Sequence, residues 1–280
     1  MDVSSIDSPV IDLAFSPTGE LAVAGKEHVW IATATATARM TVGRGDDEVT
    51  CVAFDGRRLA IASKESGLRI VELGGKPHVT QIEAKCHWHM MVWAPDGKYI
   101  IGAHYEPFLT VIDVEARALL RELDPDEFDD SGRTALLWVD GTLVSTAYNK
   151  LVRWRFADVI ANKKKCRSKS GVQGHAHFCD VTRVNDGSLF VLAEVEGHEA
   201  YLQRFTPSGE KIGNKLAVDP GTRRIGSLGD SLVLVEDEGA RIVSLDGEQL
   251  RELDAFGSAL AISPTTIAIG NERGVRLIQR

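Results

Sequence analysis

Seven turns at near-even spacing, alternating apolar runs on either side of each, and a last repeat that stops one strand short predict an all-β protein. The fold class is a seven-bladed β-propeller of one domain, residues 1–280, with its last blade closed by the N-terminal strand.

The turns are Ser16-Pro17-Thr18-Gly19, Asp55-Gly56, Ala94-Pro95-Asp96-Gly97, Asp140-Gly141, Asn185-Asp186-Gly187, Gly229-Asp230 and Ser263-Pro264. They recur about every 35 to 46 residues, close to the length of a four-stranded blade. Asp-Gly between alternating runs signals a hairpin, because a tight turn needs a residue that tolerates positive φ.

A first strand precedes each turn, as in Val10 to Phe15, Val49 to Phe54 and Met90 to Trp93. A second follows it, as in Leu21 to Ala24, Leu59 to Ser63, Leu143 to Thr146 and Leu189 to Ala193. After a polar turn comes a third, as in Val29 to Ala32, Leu68 to Glu72, Leu151 to Arg155 and Val275 to Gln279. A fourth, weaker strand is readable at Ala118 to Leu123 and Gln249 to Leu253. The last repeat ends after its third strand, so the segment Asp2 to Asp7 is expected to supply the fourth and leave no long open edge.

Composition agrees with this class. Hydrophobic residues make up 44% and charged residues 26%, enough apolar surface for a large core. The net charge of -8 argues against general nucleic-acid binding, which needs a basic face. No run approaches the roughly 20 apolar residues of a membrane helix. Met1 to Ser8 lacks the apolar stretch of a secretory signal, and Cys51, Cys86, Cys166 and Cys179 are scattered; a cytoplasmic protein with reduced thiols is expected.

Two stretches carry a family resemblance. Val92-Trp93-Ala94-Pro95-Asp96-Gly97-Lys98-Tyr99-Ile100-Ile101-Gly102 and Ala14-Phe15-Ser16-Pro17-Thr18-Gly19-Glu20-Leu21-Ala22 resemble the Phe-Ser-Pro-Asp-Gly segment of WD-repeat proteins. The Trp-Asp pair that usually ends the third strand is degenerate here: only Asp113 keeps the Asp and only Trp154 keeps the Trp. Gly174-His175 is similar to the Gly-His that opens a WD repeat. The resemblance implies a rigid scaffold for protein–protein contacts, without catalysis.

Loops joining second to third strands, and loops entering first strands, share one face of such a fold. The histidines gather there, with aromatic and acidic neighbours. Trp88, His89, His104, Tyr105, Tyr148, His177, Phe178, His198, Glu65, Glu236 and Asp237 are therefore expected to form the surface that binds a protein or basic peptide segment. Residues two apart on a strand share a face, so His87/His89 and His175/His177 each present a pair that suits zinc; the other reading makes them capping or channel-lining groups. No other cofactor is expected. The basic run Lys163-Lys164-Lys165-Cys166-Arg167-Ser168-Lys169, after a short helix near Phe156, Val159 and Ile160, reads as a solvated loop or as a dock for an acidic partner.

No G-x-S-x-G, H-E-x-x-H or P-loop motif occurs. The alternative to a scaffold is a metal-dependent, lactonase-like hydrolase with its site at the central channel mouth. It would lose activity without His87 or His89.

Overall fold

The structure is a computed structural model that describes residues 1, 3–42, 47–74, 78–84, 87–104, 108–124, 134–172, 176–195 and 199–280. Strands follow one another in seven antiparallel meanders. Sheet one is β1 (Val10–Phe15), β2 (Leu21–Gly25), β3 (His28–Ala32) and β4 (Thr37–Thr41); sheet two is β5 (Val49–Asp55), β6 (Arg58–Ser63), β7 (Gly67–Glu72) and β8 (Val79–Ile82). Sheet three is β9 (Trp88–Trp93), β10 (Tyr99–His104), β11 (Leu109–Asp113) and β12 (Ala118–Leu123). Sheet four is β13 (Leu136–Val139), β14 (Thr142–Ala147) and β15 (Lys150–Trp154), then a short helix α1 (Phe156–Ile160), then β16 (Arg167–Gly171). Sheet five is β17 (Ala176–Arg183), β18 (Leu189–Val195), β19 (Glu199–Phe205) and β20 (Lys211–Val218); sheet six is β21 (Thr222–Leu228), β22 (Ser231–Glu236), β23 (Ala240–Ser244) and β24 (Gln249–Leu253). Sheet seven has three strands, β25 (Ala259–Ile262), β26 (Thr266–Asn271) and β27 (Gly274–Gln279).

The turns behave as their residues dictate. In Ser16 to Glu20 and Ala94 to Tyr99 the chain reverses over a glycine, with Gly19 and Gly97 at φ +94° and +66°. Asp140 and Gly141 both have positive φ, the geometry that a two-residue hairpin of this hand needs.

Two compact units result. One comprises residues 1–104, 110–121 and 255–280, the other 105–109 and 122–254. Within the first unit the first strands of sheets seven, one, two and three pack in that order. Sheets seven and one share Ile6, Val10, Leu13, Trp30, Ala259 and Ala268; sheets two and three share Ile70, Ile82, Trp88, Met91 and Ile100. Within the second unit β13, β17 and β21 pack in sequence. There Phe190, Leu192, Ile225 and Leu234 join sheets five and six.

The first strands of sheets one, two, three, five and six carry a bulge, at Ile11, Thr50, His89, Cys179 and Arg223 respectively. In sheets one and five the residue after the bulge is an aspartate. Asp12 accepts from the amide of Leu13 (2.9 Å) and, across to the next sheet, from the amide of Val52 (2.9 Å). Asp180 repeats the arrangement with Val181 (2.9 Å) and Ile225 (3.0 Å). Each carboxylate thus fastens one sheet to the following one through backbone groups.

The structure completes the reading of the outer strands and revises that of the basic run. Among the described residues fourth strands form in six sheets, including β4, β16 and β20, whose mostly exposed side chains give no alternating signal. The basic run does not form one loop: Arg167–Gly171 is the outer strand of sheet four, paired with Lys150–Trp154, while α1 buries Phe156 edge-on against Trp138. The N-terminal segment lies against sheet seven as expected: Val3 and Ile6 pack with Val275 and Leu277 on the apolar cluster between sheets seven and one, and the Ile6 carbonyl lies against Gly274 of β27.

Asp180 is 4% exposed, so replacing it strands a buried amide at Ile225. Asp180→Ala is expected to lower stability by about 2–3 kcal/mol, and the partly exposed Asp12→Ala by less, in urea denaturation followed by circular dichroism.

Candidate protein-interaction site

Several residues expected at the surface are core residues. Trp88 is 0% exposed and Phe178 1%; both sit inside sheets, Phe178 against Phe205 with ring centroids 6.0 Å apart. His104, 7% exposed, ends β10 beneath Trp88. The Trp88 indole N–H donates to His104 Nε2 at 2.8 Å, and the Thr110 hydroxyl lies 2.6 Å from the same nitrogen. These three residues have no surface to offer a partner. β9 begins at Trp88, two residues before the start that alternation places at Met90, and carries a bulge at His89.

The same bulge separates the first histidine pair. His87 precedes β9 and is exposed, while His89 is the bulged residue and is half-buried. Among the described residues no group of three His, Cys, Asp or Glu comes together as a cation site. His175, Tyr105 and His198 lie outside the described residues.

In the second unit Tyr148, held at φ +49°, meets the His177 ring edge-to-face at 4.7 Å, and its carbonyl accepts from the Phe178 amide at 2.7 Å. Asp237 is clamped by Arg223, whose Nε and Nη2 both donate at 2.7 Å; those bonds hold its carboxyl below the ordinary range. Glu236 pairs with Arg241 at 2.8 Å. Burial raises the Glu236 carboxyl above its ordinary value, and the Arg241 guanidinium offsets this only in part. Both acids are therefore already engaged within sheet six.

In the first unit a groove of about 630 Å³ lies at the end of sheet two where loops were expected to bind. Lys64, Glu65, Ser66 and Gly67 line it together with Gln81, Glu83, Ala84 and His87. It brings together Glu65 and His87, which sequence reasoning had singled out for different reasons. A residue it did not single out for this role, Asp47, builds the wall. Its Oδ1 accepts from the amides of Glu65 (2.9 Å) and Ser66 (3.2 Å). Burial opposes ionisation of Asp47, but the Ser66 side chain and these amides outweigh it and keep its pKa low.

The charge of the groove follows from who is paired. Lys64 reaches out to Glu48, which also binds Lys26 at 2.7 Å; the two ammonium groups push the Glu48 carboxyl down to about 2. Glu65, Glu83 and Gln81 stay exposed on the groove walls. Among the described lining residues, Glu65 and Glu83 thus leave open negative charge.

Trp154 and Asp113, the two retained pieces of the repeat signature, have structural work. Trp154 is buried and its indole N–H donates to Ser145 at 3.0 Å; Asp113 accepts from the Ala116 amide at 2.8 Å in the following turn.

No protein-family model matches this chain, and no curated protein matches its sequence. Among solved structures it is similar to a chain of a mitotic checkpoint complex crystal structure, with a TM-score of 0.76 at 14% identity over 100% of this chain and 90% of that one. That chain is a WD-repeat propeller. The fold here is therefore a WD-repeat-like seven-bladed β-propeller, a likeness of fold and not of sequence. No helix among the described residues is long and apolar enough to cross a membrane.

Burial lowers the His104 pKa from 6.5 to about 4, with the charge of His87 adding to it. The folded chain refuses a proton that the unfolded chain accepts. The stabilisation is full above about pH 6.5 and is lost as pH falls toward about 4, by at most about 3 kcal/mol. Urea midpoints measured between pH 7 and 5 should fall with pH, and the slope should flatten in His104→Gln.

Proposed function

We propose that the protein is a non-catalytic interaction scaffold whose groove at sheet two receives a basic segment of a partner protein. The observation that carries this reading is the pair of exposed carboxylates, Glu65 and Glu83, lining one groove whose lining lysine, Lys64, is ion-paired with Glu48. Such an arrangement attracts Lys or Arg and steers its approach, more than it adds raw affinity. Asp47 and the close passage at Gly67 hold the walls fixed, so binding orders little new chain. Tyr148 and His177 offer a second, aromatic contact on the other unit. The similar propeller chain was solved within a multiprotein complex, which supports a protein partner as the class. Free thiols at Cys51, Cys166 and Cys179 suit the reducing cytoplasm.

Selection of a random peptide display library on the protein tests this. The expected winners carry Lys or Arg, weaken with added salt, and lose at least tenfold in affinity for the Glu65→Lys/Glu83→Lys variant. Winners without basic residues, or equal binding to the double variant, would refute the groove.

A further inference from the structure

The third strands of sheets two, six and seven share one position. Ile61, Leu234 and Ile269 of the second strands pair there with Arg69, Arg241 and Arg276. In sheet one the matching residue, Val23, pairs with Trp30. The cation is moved out by one strand, since Arg39 of β4 stands opposite Trp30. Sheet one therefore carries an indole where its counterparts carry a guanidinium.

The ring has a prepared seat. A Cβ on Gly25 would come within 2.7 Å of the Trp30 ring and 3.1 Å of the Ser8 hydroxyl, so a side chain there would displace one or the other. Trp30 is 7% exposed and shares its apolar cluster with Ile6 and Val10, both buried. Those two residues anchor the short segment between them, which carries Asp7 and Ser8. A pocket of about 380 Å³ opens at this place, with Ser5, Asp7, Ser8, His28, Trp30 and Arg39 among its lining residues. The Arg39 guanidinium donates to His28 Nε2, and the His28 ring centroid stands 5.7 Å from that of Trp30. Asp7 and Arg39 are both exposed in this one pocket, yet they pair neither with each other nor with another group of opposite charge among the described residues.

We propose that this pocket binds a free α-amino acid with a large apolar side chain. Asp7 receives the ammonium, Arg39 the carboxylate, and the open part of the Trp30 ring the side chain. Charge chooses the class of ligand. A simple anion held by Arg39 shares the pocket with the Asp7 carboxylate, and a simple cation held by Asp7 shares it with Arg39. A molecule that carries both signs escapes either repulsion. The hydroxyls of Ser5 and Ser8 add groups that donate and accept. His28 holds the guanidinium in place before the ligand arrives, which lowers the cost of ordering it. The volume falls within the range of small-molecule pockets, about 300–1,000 Å³. This site is distinct from the groove at sheet two and does not depend on it.

The test is isothermal titration calorimetry of the full chain at low salt. The probes are L-phenylalanine, glycine, N-acetyl-L-phenylalanine, which lacks the ammonium, and L-phenylalaninamide, which lacks the carboxylate. L-phenylalanine should bind saturably, and the other three at least about tenfold more weakly, the worth of one hydrogen bond to a charged group or of the lost apolar contact. Asp7→Asn and Arg39→Gln should each weaken L-phenylalanine by a similar factor. Acetylation should then cost nothing further in Asp7→Asn, and amidation nothing further in Arg39→Gln, a pattern that a general loss of folding does not produce. Glu65→Lys/Glu83→Lys should change nothing. The proposal fails if L-phenylalanine does not bind, or if either surface variant leaves its binding unchanged. It also fails if a derivative binds as tightly as L-phenylalanine: the acetylated form doing so makes this an anion site, and the amide a cation site.

Discussion

A meander of short strands has no stability by itself, and here neighbouring sheets are joined by carboxylate-to-amide links at two junctions as well as by apolar packing. The bulge on the first strand breaks the ladder just where one sheet meets the next. The extra residue turns the strand, and the carboxylate after it reaches across. Asp12 and Asp180 perform the same task in different units, each with one oxygen on its own strand and one on the next sheet. Elsewhere the same junction uses other groups, such as the Trp93 indole N–H donating to the Ala53 carbonyl at 3.1 Å, with Arg58 stacked over the Trp93 ring. Apolar packing then fills the space that these links define.

This arrangement decides which residues remain for function. Large aromatic side chains near the loops point inward, as where β9 begins at Trp88 and not at the expected Met90. Trp88 and Phe178 become core, and His104 becomes a neutral acceptor for Trp88. Much of the charge left at the surface is internally paired, as with Asp237 and Arg223. Glu65 and Glu83, which line the groove at sheet two, are among the acids that stay exposed.

Much of the fold was legible because glycine turns and buried alternating strands announce themselves. Asp140-Gly141 and the turn ending at Gly97 needed only the φ preference of glycine. Outer strands were less legible: Thr-Ala-Arg-Met-Thr and Arg-Ser-Lys-Ser-Gly are exposed on most sides, so no periodicity marks them. The bulges were invisible for a similar reason, since one inserted residue reverses which neighbours share a face. That is why His87 and His89 read as a pair and are not one. A usable signal was present for the interlocking acids: Asp12 in Val-Ile-Asp-Leu and Asp180 in Phe-Cys-Asp-Val interrupt apolar strands at the same place. The groove was half legible, through Glu65 and His87. Their meeting depends on Asp47 gripping a loop from a different connection, which no linear spacing shows.

The central claim is that carboxylates after the bulges lock adjacent sheets together through backbone amides. Site-resolved native-state hydrogen exchange at Val52 and Ile225 tests it most directly. Both amides should exchange only through global unfolding, with the same free energy as the most protected core amides. Exchange of either through local opening, at rates typical of the surface turns, would contradict the account.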